Sequence, residues 1–184
     1  MDWYRGHAAH LVDVLSGTPA DAPVWSFGPK PRTAAFWRRR QAHETGIHLW
    51  DAWLSQGQDL PIEPGRALDG VDEVRTVFFP RQVRLGRIAP LQHTLALRAS
   101  STSDGPHERR DALDGGEPAP ATVVFSGDGS AGAGDQGEPD AIVDGPPDAL
   151  LLLVWKRIEL DDARLRITGD PAVAKTVLSQ ALTP

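Results

Sequence analysis

Glu44 and His48 are the residues of this chain whose types and spacing are best suited to chemistry. They stand four apart in the run Arg38-Arg39-Arg40-Gln41-Ala42-His43-Glu44-Thr45-Gly46-Ile47-His48-Leu49-Trp50-Asp51, which reads as the middle of a helix. Residues at i and i+4 project from one helix face, one turn apart. A carboxylate oxygen and an imidazole nitrogen at that spacing are two donors for one divalent metal ion. The same spacing also describes an ordinary surface pair worth roughly 0.2–0.5 kcal/mol. Two donors fall short of the three or four that zinc takes, so at least one more must come from elsewhere. Asp51, three residues beyond His48, is spaced to orient its imidazole from behind, as carboxylates do at metal-bound histidines; its plain alternative is an exposed helix carboxylate. His43 points about a third of the way round the helix and suits a core or supporting position.

The chain has six His and no Cys, so any metal site is built from His and carboxylates. Disulfides and thiol catalysis by the protein itself are excluded. The helix that carries the pair spans about residues 33–55, with Thr33 as N-cap and Gly57 as the stop. Phe36, Trp37, Ile47, Trp50 and Leu54 give it an apolar stripe. A helix over residues 2–15 precedes it, with Leu11, Val14 and Leu15 toward a core, and the loop between them is anchored by Trp25 and Phe27. A third helix covers residues 67–79 and ends at Pro80. Alternation then predicts strands at 94–99, 121–125, 141–143 and 164–168, with helices at 150–157 and 171–182. Stretches 100–120 and 127–137 are polar and rich in Gly, and read as loops. Helices first and mixed elements afterwards imply an α+β protein of two parts, a helical bundle over 1–80 and a small α+β domain over 88–184. Arg81, Arg84 and Arg87 lie at that junction and could grip a substrate carboxylate bidentately. Arg157 is a similar candidate. A solvated basic stripe is the bland reading of all four.

The net charge is −6 and the isoelectric point about 5.4, which argues against a nucleic-acid partner. The longest apolar run, Ala149 to Trp155, is too short to span a bilayer. The amino terminus shows no secretory pattern, so the reading is a cytoplasmic protein acting on a small molecule.

Several segments together resemble the mycothiol-dependent maleylpyruvate isomerase family. They are Trp25-Ser26-Phe27, Phe36 to Arg40, His43 to Asp51, Asp69 to Val74, Pro80 to Arg84, Ala149 to Arg157 and residues 165–169. The resemblance implies a DinB-like helical bundle followed by a domain related to sterol carrier proteins. It implies a divalent metal, usually zinc, held by one His from the first bundle helix and by a Glu and a His that match Glu44 and His48. It implies mycothiol as a thiol co-substrate, activated by the metal, and an isomerase or thiol-transferase reaction on a small electrophile.

One feature departs from the family pattern. Asp2-Trp3-Tyr4-Arg5 already resembles the start of the family's second helix, so the helix that carries the first His is expected to lie upstream. His10, and less well His7, are the candidates for a third ligand within this chain, although both match the wrong helix. A bundle short of a helix would expose an apolar face for a homo-oligomer or another partner to cover. The alternative reading is a non-catalytic remnant or a small-molecule or protein binding module with an incomplete metal site.

Overall fold

The computed structural model describes residues 1–100, 121–129 and 137–184. Most of the two polar stretches read as loops therefore lies outside the described residues. The chain divides into two compact units, Met1–Leu60 and Pro61–Pro184. The division falls ahead of the expected junction, because the helical stretch that follows Leu60 packs on elements of the second unit.

The first unit contains α1 (Asp2–Gly17) and α2 (Ala34–Leu54). Along α2 the buried positions are Ala34, Arg40, His43, Ile47 and Trp50. Arg40 to Trp50 recur at steps of three and four, so they form one face. Leu54, expected on that face, is exposed, and two polar residues, Arg40 and His43, occupy it instead. Gly57 takes a positive φ of 68° just past the helix, where glycine carries no steric penalty. The expected core face of α1 is not formed: the helix buries no residue, and Leu11 and Val14 are exposed. Instead α2 holds α1 by its end. Arg38 donates from Nε to the Leu15 carbonyl at 2.7 Å and from Nη2 to the Thr18 carbonyl, closing acceptors that a helix C-terminus leaves open.

The second unit begins with α3 (Pro64–Glu73). The Glu63 carboxylate caps it, accepting from the Gly65 and Arg66 amides at 2.8 and 2.7 Å. Those amides hold its carboxyl below the usual range, so the cap is complete above the ordinary carboxylate pKa and is lost as the pH falls through the lowered one. The helical path does not end at Pro80. A π-helical turn, Val74–Phe78, leads into α4 (Phe79–Arg84), with Pro80 in its first turn. There the missing N–H is tolerated, and the wider turn ahead of it relieves the clash with the preceding carbonyl.

Four strands follow: β1 (Leu91–Ala99), β2 (Thr122–Gly127), β3 (Ala141–Gly145) and β4 (Arg166–Gly169). They form one mixed sheet in the order β2-β1-β3-β4, antiparallel at both edges and parallel between β1 and β3. Consecutive residues Thr94, Leu95, Ala96 and Leu97 are all buried, the mark of a central strand covered on both faces. The bidentate Arg98–Asp144 pair fixes the parallel register, since the two residues are direct partners in it. Between β3 and β4 runs α5 (Pro147–Val154), in which Ala149 to Val154 are all buried; a helix apolar all round belongs inside. α6 (Pro171–Ser179) packs against β1, β3 and β4.

Gln82 ties the end of the chain into this unit. It is 2% exposed, donates from Nε2 to the Thr183 carbonyl at 2.6 Å and accepts at Oε1 from Arg87 at 3.1 Å. Replacing Gln82 with Ala should lower unfolding free energy by about 1–3 kcal/mol, measured by urea denaturation. A loss within about 0.5 kcal/mol, the range of an ordinary surface change, would show that the contact anchors nothing.

Candidate functional site

Helix α2 positions Glu44, His48 and Asp51 as a ridge beside its buried face. His48 lies between the two carboxylates: Nε2 is 3.2 Å from Glu44 Oε1, and Nδ1 is 3.3 Å from Asp51 Oδ2. The imidazole is 61% exposed, and the carboxyl side chains of Glu44 and Asp51 are 45% and 33% exposed. The second oxygen of Glu44 accepts from Nη2 of Arg40, whose side chain is only 4% exposed. The order along the helix is thus guanidinium, carboxylate, imidazole, carboxylate.

The chemistry of the ridge follows from proton counting. A neutral imidazole has one N–H. If Nδ1–H donates to Asp51, the Nε2 lone pair faces a carboxylate oxygen, and two acceptors repel at that distance. A divalent metal ion held between them would remove that repulsion. Zinc bonds of about 2.0–2.2 Å separate two donors of a tetrahedral site by roughly 3.3–3.5 Å, close to the observed gap. The donor types, the gap and the carboxylate behind Nδ1 all fit a metal ion. The donor number does not: among the described residues, no group of three His, Asp or Glu side chains is placed to hold one ion. His10 is exposed on α1 and joins no such group. His7 is also exposed; its Nδ1 donates to the Trp3 carbonyl at 2.9 Å and its ring lies against Trp3. His43 is buried on the inner face of α2 and has partners there.

The candidate arginines belong to the second unit. Arg87 donates to Gln82 and Arg157 donates from Nη1 to the Trp155 carbonyl at 2.7 Å, so both have structural duties. Arg81 has a partner as well. Arg84 is exposed at the end of α4. Sequence reasoning passed over Arg40 as one of three adjacent arginines. The available signal was its spacing, four residues before Glu44 and on the buried stripe.

The loop ahead of α2 is held where aromatic rings meet. Phe27 stands edge-on to Phe36 and Trp37, with centroids at 5.0 and 5.8 Å. Trp37 Nε1 donates to the Trp25 carbonyl at 2.8 Å. A side chain on Gly28 would lie 2.3 Å from the Phe36 ring, so only glycine lets the loop approach the helix so closely.

These positions predict unequal effects on stability. Glu44→Gln removes the charge from the carboxylate that the buried Arg40 guanidinium grips and should cost about 1–2 kcal/mol. His48→Ala removes an exposed ring and should change stability by less than about 0.5 kcal/mol. Thermal or urea unfolding of the two variants checks the contrast, and equal losses would contradict the arrangement.

Two family models match the chain. The model of the mycothiol maleylpyruvate isomerase N-terminal domain matches residues 1–53, and the model of the C-terminal domain of the same enzymes matches residues 66–176. Each lies within one of the two units. No curated protein matches. The crystal structure of Sterol Carrier Protein 2 Like 2 from Aedes aegypti covers 61% of this chain and 94% of its own, at 13% identity and a TM-score of 0.38. That likeness is too loose to argue from.

Proposed function

The chain belongs to the mycothiol maleylpyruvate isomerase family, and from that premise we propose that it is a metal-dependent isomerase or thiol transferase using mycothiol on a small, carboxylate-bearing electrophile. The observation that carries the proposal is the close approach of Glu44 Oε1 and His48 Nε2, at 3.2 Å, with Asp51 on the far side of the ring. A zinc ion bound there would lower the pKa of a thiol and hold it as thiolate, a group that a chain without Cys cannot supply itself.

The protein's own residues do the rest. With Nδ1–H donating to Asp51, Nε2 would be presented as a lone pair for the metal. Arg40 holds the far oxygen of Glu44 and so aims the near one at the same point. Their exposure leaves room for a thiol to approach. The remaining coordination comes from outside this pair. The second unit's candidates for a substrate carboxylate remain Arg81 and Arg84 on α4 and Arg157 after α5.

The shortage of donors among the described residues favours a second reading, a binding module whose metal pair is incomplete. Metal analysis separates the two. Protein equilibrated with zinc and then desalted should retain it near stoichiometrically. His48→Ala should abolish retention, and Asp51→Asn should weaken affinity about 10–100-fold. Because His48→Ala is expected to fold normally, its loss of zinc would be a loss of a ligand. Failure of the parent protein to retain zinc at micromolar concentration would sink the enzyme reading and leave the binding module.

A further inference from the structure

Helix α1 carries a histidine that the rest of the chain does not use. Among the described residues, His10 is the one histidine without a hydrogen bond, ion pair or ring contact. His7 is held by Trp3, His43 has partners on the inner face of α2, and His48 stands between Glu44 and Asp51. His93 lies 3.7 Å from Asp140. His10 is exposed, so its ring nitrogens are open to a ligand from outside.

The helix around His10 has an open face of its own. Trp3, His7, His10 and Val14 recur at steps of four, three and four, so they share one face of α1. All four are exposed, Trp3 at 74%. A helix of 16 residues that buries none of them gains little from packing and is marginal by itself in water. The ridge on α2 has a matching border. Leu49 and Trp53, one turn apart, are exposed beside His48. Trp3 lies seven residues, about 10 Å, before His10, and Trp53 lies five residues, about 7.5 Å, beyond His48. When an α1 packs antiparallel to an α2, both tryptophans therefore fall on the same side of the two histidines. The α1 face carries no carboxylate to oppose Glu44 and Asp51.

We propose that the chain forms a two-fold dimer whose metal site is completed in trans, with His10 of a second copy joining Glu44 and His48 around one zinc ion. This rests on the metal reading of the α2 pair. The donor count selects a second copy. The pair gives two donors and His10 a third, which leaves the fourth position of a tetrahedral zinc open for the thiol. His10 does not join the pair of its own chain. Two-fold symmetry makes every contact twice, so each His10 serves the other copy's pair and both sites are complete. The surface to be covered agrees. Trp3, Leu11, Val14, Leu49 and Trp53 are all exposed and offer roughly 500 Å² of apolar side chain per copy. With the histidines and the ridge added, this approaches the about 800 Å² per partner of a stable interface.

Analytical ultracentrifugation and zinc analysis of the full chain test the assignment. With zinc, the protein should sediment at twice the chain mass of 19.9 kDa and hold one ion per chain. His10→Ala should weaken zinc binding about 100-fold or more while leaving the melting temperature of the metal-free protein unchanged, because the ring is exposed. Trp3→Glu with Val14→Glu should weaken dimer and zinc affinity together, although all three donors remain. Complementation separates the two copies' roles. His10→Ala and His48→Ala chains, each unable to hold zinc alone, are co-expressed with different tags and purified through both. The heterodimer then joins an intact Glu44–His48 pair to an intact His10 at one of its two sites and should hold about half the parental zinc. A site closed within one chain gives none. A monomer with stoichiometric zinc, parental zinc affinity in His10→Ala, or an empty heterodimer would each overturn the trans site and leave the metal reading standing. A parent chain that binds no zinc would end that reading and this one together.

Discussion

A helix cannot bury one face without fixing the direction of the next, and this constraint on α2 governs what the first unit can do. Arg40, His43, Ile47 and Trp50 face inward. The ridge Glu44–His48–Asp51 is therefore turned outward and held in register by 3.6-residue geometry. Arg40 links the two faces, because its guanidinium is buried while the carboxylate it grips is half-exposed. A buried cation needs partners, and Glu44 is one that Arg40 holds. The Phe27–Phe36–Trp37 cluster and the Arg38 contacts to α1 then secure the loop and the neighbouring helix to the same element.

The second unit rests on a different physical basis. Its centre is apolar and continuous, built from the doubly covered β1 and the fully buried α5. Matched polar groups within it include Gln82 and the Arg98–Asp144 register pair.

Much of this was legible from residue order. The i, i+4 pair, the second carboxylate at Asp51, the strand at β1, the apolar run of α5 and the α+β class all follow from periodicity and composition, which act locally. The errors have physical causes too. Leu11 and Val14 looked like core because apolar spacing reports only that a face could be buried, not that a neighbour covers it. Pro80 looked like a terminator because the rule assumes α-helical registration, and the π turn before it changes that registration. The expected boundary near 80–90 follows a change of composition, whereas compact units follow packing, and α3 packs against α5.

By itself the sequence determined which side chains share a helix face, that a chain without Cys must borrow any thiol it uses, and which family the chain resembles. Those facts depend on covalent order and on the fixed geometry of a helix. Only the tertiary structure decided that Arg40 is the buried partner of Glu44, that His48 stands between two carboxylates, and that no third donor among the described residues joins them. These depend on which rotamer a side chain adopts and what else reaches it, and such contacts are set by packing between residues that the sequence keeps apart.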